Sequence, residues 1–186
     1  MSKKKIILGV TGGIAVYKAA DLCSKLTANG FDVYPVMTEN ALKLISAKIF
    51  LTLSRNPVMT SLWEEKEWKP EHVALAEEAD LMVVAPCTAN FIGKFTYGIA
   101  DDALSTTALT FAGTGKKILL APAMNNNMWA SPAVMENCRI LRERKVEFVG
   151  PAEGSLACGT KGAGRMSEVP EILEKIKLLA EDIYPC

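Results

Sequence analysis

Short β-branched and aliphatic runs alternate along this chain with stretches whose apolar residues recur at helical spacing. Lys5 to Val10 reads as a buried strand. Beyond Thr11-Gly12-Gly13, residues Val16, Ala19, Ala20, Cys23 and Leu26 fall at i, i+3, i+4, i+7 and i+10, one face of a helix from about Ala15 to Asn29. Asn29-Gly30 is its stop signal. Phe31 to Met37 predicts a second strand, followed by a helical stretch from about Asn40 to Ile45. Glu71 to Glu78 predicts a helix leading into a buried strand, Asp80 to Ala85, with Pro86 to Asn90 as a loop. Further on come a helix over Ala103 to Phe111, a turn at Gly113 to Gly115 and a strand over Lys117 to Ala121. The chain then predicts a helix around Pro132 to Arg144 and a strand over Val146 to Val149. Pro151 to Met166 holds several glycines and no period, so it predicts a long loop. Ile172, Ile176, Leu179 and Ile183 keep helical spacing in a closing helix over Glu168 to Ile183. Strands alternating with helices predict an α/β fold: one doubly wound, mostly parallel sheet covered by helices on both faces, of the Rossmann or flavodoxin-like kind.

Composition changes this picture little and excludes several functions. With 186 residues, one domain over 1–186 is the expectation, with a flexible flap at about 151–166. Lys+Arg and Asp+Glu are both 21, so neither a nucleic-acid footprint nor a polybasic membrane patch is expected. The apolar run after Lys3-Lys4-Lys5 is broken at once by Gly12-Gly13, too short for a signal peptide. No stretch is long enough to span a bilayer. Five cysteines, at 23, 87, 138, 158 and 186, form no CxxC pair, and there is a single histidine. A disulfide framework and a zinc site are therefore poorly supported, and a cytoplasmic location is expected.

The candidate chemistry gathers where strands end. Pro122-Ala-Met-Asn-Asn-Asn-Met-Trp129 pairs fixed amide donors and acceptors with soft methionine surface, at the carboxyl end of a strand, where open α/β sheets place ligands. Its simpler reading is an asparagine-rich loop that caps a helix. Gly9-Val-Thr-Gly-Gly-Ile-Ala15 offers close backbone approach to a phosphate, but its spacing is not GxGxxG and no dinucleotide fingerprint is present. Thr38 adds a hydroxyl at the same edge. Thr88 and Asn90 present groups able to read a ring edge, or else cap a helix. His72 is suited to act as a base or hold a carboxylate, although a lone histidine is more often a surface residue. In Leu156-Ala-Cys158-Gly-Thr-Lys-Gly-Ala-Gly164-Arg-Met166 the glycines suit a mobile flap, Cys158 a proton donor, and Lys161 or Arg165 an anion partner. Cys23 lies on an apolar helix face and reads as core. Trp63, Trp68 and the acidic residues between them carry no assignment.

Taken together, Gly12-Gly-Ile-Ala-Val-Tyr-Lys18, His72, Ala85-Pro-Cys-Thr-Ala-Asn90, Gly98-Ile-Ala-Asp-Asp102, Pro122-Ala-Met-Asn-Asn-Asn-Met128 and Ala157-Cys-Gly159 through Gly164-Arg-Met166 resemble, in order, the homo-oligomeric flavin-containing cysteine decarboxylases. The resemblance implies FMN bound between subunits of a trimer or of a dodecamer built from trimers. Gly12, Gly13, Ile14 and Thr38 would lie near the cofactor, its ring near Cys87, Thr88, Ala89, Asn90 and Ala123. It implies His72 as base, Asn125 as holder of the substrate carboxylate and Cys158 as proton donor, with Met128, Ala157 and Gly159 also at the substrate. The implied reaction is decarboxylation of 4′-phosphopantothenoylcysteine to 4′-phosphopantetheine in coenzyme A biosynthesis. Transient oxidation of the thiol to a thioaldehyde gives the departing electrons a sulfur sink, and the enethiolate left by CO2 is then reduced. Many bacterial members carry a synthetase domain after this one, so the chain is expected to be either free-standing or an N-terminal half. The rival readings are a peptidyl-cysteine decarboxylase, a flavin prenyltransferase and a non-catalytic flavin-binding regulatory subunit.

Overall fold

A computed structural model describes residues 3–63, 71–155, 159 and 161–181. The apolar run β1 (Lys5–Val10) lies between β2 (Asp32–Met37) and β3 (Leu81–Cys87), and β4 (Lys117–Pro122) and β5 (Glu147–Phe148) extend the sheet. The order is β2-β1-β3-β4-β5 and every pairing is parallel. β3 is buried at every position, which is why it reads as an unbroken apolar run rather than an alternating one.

Alternate residues of the central strands feed two separate cores. Ile6, Leu8, Val83 and Leu119 pack with α1 (Val16–Ala28), α3 (Ala47–Ser54) and α9 (Val169–Glu181). On the opposite face Ile7, Met82, Val84 and Leu120 pack with α4 (Glu71–Glu78), α5 (Ala89–Tyr97), α6 (Ala103–Ala112) and α8 (Pro132–Glu143). The expected doubly wound architecture is therefore the one formed. From β1 the chain crosses to β2 on one side, and from β3 to β4 on the other. The switch point between β1 and β3 opens a crevice at their carboxyl ends.

Four stretches differ from the sequence-based expectation. The helix expected at about Asn40–Ile45 is the short α2 (Glu39–Leu42), and α3 follows it as a separate helix capped by Ser46. The loop expected at Pro86–Asn90 is the end of β3 and the start of α5, with Thr88 as the N-cap between them: its side chain accepts a hydrogen bond from Phe91 N–H. The asparagine segment holds a short helix, α7 (Asn126–Trp129), after the loop that leaves β4. The long loop expected at 151–166 contains an antiparallel pair, β6 (Ala152–Ser155) and β7 (Lys161–Arg165). Its periodicity was invisible because glycines replace side chains at Gly154, Gly162 and Gly164.

Candidate active site

Four neighbouring strands deliver their carboxyl-end loops to one cleft of about 1190 Å³. β1 contributes Thr11 to Ala15, β2 contributes Thr38 to Asn40, β3 contributes Thr88 to Asn90, and β4 contributes Ala123 to Asn125. Gly164 to Met166, at the exit of β7, closes one side. A volume above the range of about 300–1,000 Å³ usual for one ligand leaves space for a cofactor and a substrate together.

At Gly12 another loop stands where a side chain would go, whereas Gly13 has room for one. A Cβ on Gly12 would meet the carbonyl carbon and oxygen of Asn40 at 2.7 and 2.8 Å. One on Gly13 would face Thr88 Cγ2 at 3.5 Å. The pair is thus set between the ends of β2 and β3, ahead of α1. That helix has no side-chain N-cap and no acidic residue in its first turn, which leaves its N-terminus favourable to an anion, although Val16 N–H already donates to Gly13 O and Lys18 N–H to Ala15 O, each at 2.9 Å.

The threonines are fixed rather than loose. Thr38 accepts from Ala41 N–H at 3.3 Å and Thr88 from Phe91 N–H at 3.5 Å. Each cap uses an oxygen lone pair, and the hydroxyl proton is the group available to a ligand. Thr11, only 2% exposed, ties the two central strands together: its hydroxyl donates to Pro86 O at 2.7 Å and accepts from Thr88 N–H at 3.2 Å.

Asn125 caps α7, its side-chain oxygen accepting from Asn127 N–H at 2.8 Å. The simpler reading of the asparagine run as a helix cap is thus correct for that oxygen, while the residue also lines the cleft. Met124 N–H donates to Gly164 O at 2.9 Å, which docks β7 on this loop. Met128, about half exposed, stands at the rim with Ile14 and Tyr17.

The sequence points to Arg165 as an anion partner, but not to the carboxylate that engages it or to the ion pairs of Lys18 and Lys94. Lys94 Nζ lies 2.7 Å from Asp101 Oδ1 and 3.1 Å from Asp102 Oδ2, and Asp102 closes a capping box with Ser105 at the head of α6. Burial works to lower the Lys94 pKa, and the hydrogen bonds it donates to both aspartates outweigh it, so the ammonium is held above its usual value. Lys18 pairs with Glu168 at 2.9 Å, and Arg165 reaches the same carboxylate at 3.1 Å. The hydrogen bond from Lys18 holds the Glu168 carboxyl below its ordinary range. Lys18, Lys94 and Arg165 are thus all engaged with carboxylates, so the backbone and hydroxyl donors of the glycine corner are the fitting holders for a phosphate. The signal for the Lys94 pair lay in the Asp102–Ser105 cap spacing.

Two of the expected residues stand apart from the cleft. The Cys87 thiol is fully buried in the core beneath α5 and α8, and burial, then the nearby Cys138, pushes its pKa far up. The expectation that Cys87 lines a cofactor site is corrected in this respect: an irregularity in β3 between Val84 and Cys87 breaks the strand alternation and places its side chain in the same core as Met82 and Val84, away from the cleft, and its carbonyl accepts from Ala123 N–H at 2.9 Å. His72, in the first turn of α4, does not line the cleft of its own chain. α4 packs against α6 and β1 and leads through Ala79 and Asp80 into β3. Gly159 is exposed with φ +83°, whereas Ala157, Cys158 and Trp68 lie outside the described residues. Cys23 is core, its thiol pushed up to about 12 by burial. Among the described residues no cluster has the makings of a metal site, and no helix is long and apolar enough to cross a membrane.

The sequence matches the flavoprotein family over residues 1–181. The chain belongs to that family. This flavoprotein is 45% identical over 177 residues to the coenzyme A biosynthesis bifunctional protein CoaBC of Bacillus subtilis, covering 95% of this chain and 43% of that one. It therefore spans less than half the length of that relative. Its structure superposes on a PPC decarboxylase variant complexed with pantothenoylaminoethenethiol with a TM-score of 0.85 at 29% identity, covering 96% of this chain and 99% of the other. It also matches the FMN-dependent cysteine decarboxylase SpaF with a TM-score of 0.83 at 28% identity, over 98% of both chains.

Proposed function

We propose that this chain is the FMN-dependent decarboxylase of 4′-phosphopantothenoylcysteine, a carboxy-lyase of coenzyme A biosynthesis. The observation that carries the reading is the meeting, in one cleft, of the Gly12-Gly13 corner, the Thr88–Asn90 turn and the Asn125 loop. Similarity to CoaBC, to a PPC decarboxylase and to an FMN-dependent cysteine decarboxylase supports it.

The residues present fit the cofactor. Gly12, Gly13, Ile14 and Thr38, with the uncapped start of α1, would hold its phosphate end. Thr88, Ala89, Asn90 and Ala123 would border its ring, with backbone and hydroxyl groups at the polar edge and methyl groups beside the face. When bound, FMN supplies a two-electron acceptor that also serves as the donor, so the substrate thiol carbon can be oxidised before CO2 leaves and restored afterwards.

The chain's own groups hold the substrate and move protons. Asn125 would donate from its amide NH2 to the substrate carboxylate, an acceptor-only group. A neutral donor suits this role. A guanidinium would grip the anion more strongly and stabilise the ground state that must be lost as CO2 departs. Met128 and the glycine-flanked Ala157-Cys158-Gly159 segment would cover the substrate, and Cys158 would protonate the product carbon. His72 would act as the base, supplied by a neighbouring protomer of a trimer or of a dodecamer built from trimers.

Two measurements on the purified protein test the reading. An absorption spectrum is expected to carry the bands of oxidised flavin at close to one per chain. The loaded protein is expected to release CO2 from 4′-phosphopantothenoylcysteine faster than from a peptide ending in cysteine. A colourless protein, or one that prefers the peptide, would sink the assignment.

A further inference from the structure

A two-stranded hairpin is marginal by itself, and a glycine-rich one specifies its register weakly. β6 and β7 are such a hairpin, yet β7 sits in a close-fitting position on the loop that carries Asn125. A Cβ on Gly164 would come within 2.4 Å of Met124 O, and one on Gly162 within 3.1 Å of Asn126 Cβ. Met124 N–H donates to Gly164 O at 2.9 Å. Something must hold the strand in this register.

We propose that Lys18 and Glu168 are positioning residues that fix the foot of β7, and through it the Asn125 loop; the proposal rests on the carboxylate-holding role assigned to Asn125 above. The Lys18 side chain is only 10% exposed. Its ammonium donates to Glu168 Oε1 at 2.9 Å and to Met166 O at 3.3 Å, joining α1 to the chain just beyond β7. Arg165, the last residue of β7, reaches the same Oε1 at 3.1 Å. Its guanidinium carbon lies 3.4 Å from where a Cβ on Gly154 would be, which brings β6 into the same clasp. Stability does not require this arrangement, because an apolar side chain would fill the Lys18 site at a lower desolvation cost. The ion pair adds direction: it converges on one oxygen from α1 and from β7 and sets the strand against Met124.

The test uses the flavin-loaded protein with Lys18→Met, which keeps the length of the buried stem. The expected result is a fall in kcat of about tenfold, because a small displacement of a positioning loop acts mainly on the reacting geometry. KM changes less and bound flavin per chain is unchanged. Amide exchange at Met124, whose N–H donates to Gly164, is expected to quicken by about tenfold. Exchange at Ala123, whose N–H donates to Cys87 O at 2.9 Å within the sheet, stays constant as the internal control. The double variant Lys18→Met with Glu168→Gln is expected to lose no more than the single one. If Lys18→Met does not fold, Glu168→Gln, at a half-exposed position, gives the same two readings. Unchanged kcat and unchanged Met124 exchange would overturn the proposal, as would strictly additive losses or a loss of flavin in step with kcat. If the unaltered protein decarboxylates nothing, the assigned function fails, and Met124 exchange alone still decides whether the clasp exists.

Discussion

Asn125 divides one side chain between fold and chemistry: its oxygen caps α7, and its NH2 is the group suited to a carboxylate. That division makes Asn125→Asp an informative change. Aspartate is as good an N-cap as asparagine, so the loop is expected to keep its shape. The second oxygen would then oppose the substrate carboxylate with like charge. Decarboxylation is expected to fall by about a hundredfold or more while flavin content and melting temperature hold, because a donor has been replaced by a repulsive acceptor. Near-normal turnover by this variant would remove Asn125 from the site. Gly164 is the other residue whose identity is dictated locally. It combines φ +144° with a backbone oxygen 2.4 Å from any Cβ, so Gly164→Ala must displace the Met124 carbonyl. Gly98→Ala meets only the cost of its left-handed φ of +70°, having nothing within 4 Å. Denaturant unfolding is expected to show a loss of about 1 kcal/mol for Gly98→Ala and clearly more for Gly164→Ala.

At the scale of elements, the sequence was readable wherever side chains carried the period. β1, α1, β2, α4, α6, β4 and α8 lie within a residue or two of their expected bounds, because their apolar positions repeat at 2 or 3.6 or run unbroken. α5 escaped notice although Thr88 caps it and Gly98 ends it in the left-handed conformation. Its start follows β3 so closely that Pro86 to Asn90 looked like a connection. α3 is likewise hidden, because its Ser46 cap lies just after the Asn40–Ile45 stretch that itself reads as helix. The β6–β7 pair was illegible for a different reason. Its order depends on contact with the Asn125 loop and on the Lys18–Glu168–Arg165 pairing, and neither is a local property. Acid should expose that dependence. Glu168 has a folded pKa below its ordinary value near 4.5, because Lys18 hydrogen-bonds its charged form. The unfolded chain therefore takes up the proton first as pH drops, and the pair's contribution, present above that ordinary value, is lost as pH falls through the lowered one. Stability measured from pH 6 down to pH 3 is expected to fall more steeply for the unaltered protein than for Glu168→Gln. The difference should shrink in salt, since the carboxylate is half exposed. Parallel curves would mean that the pair contributes nothing to folding.

For the whole molecule, the decisive feature is a cleft that lacks its proposed base. His72 lies on α4, packed against α6 on one face of the sheet, and does not line the cleft of its own chain. Meanwhile Ile14 and Tyr17 at the cleft rim are 69% and 65% exposed, and Tyr97 at the end of α5 is 70% exposed. Exposed side chains of this size at the rim, Ile14 and Tyr17, are what a surface contacting another copy would present. In the trimer proposed above, α4 of one copy would have to reach the cleft of the next, so that each site would draw His72 and Asn125 from different chains. Mixing inactive variants tests this without any knowledge of the interface. His72→Asn and Asn125→Asp chains, each inactive alone, would be unfolded together and reassembled in equal amounts with FMN. If each site takes the two residues from neighbouring copies, random assembly leaves about a quarter of the sites with both intact, and activity should recover to that fraction. If one chain supplies both residues, no site is ever whole and no activity returns. A mixture that stays inactive while forming flavin-loaded oligomers would confine the base to its own protomer and refute the shared site.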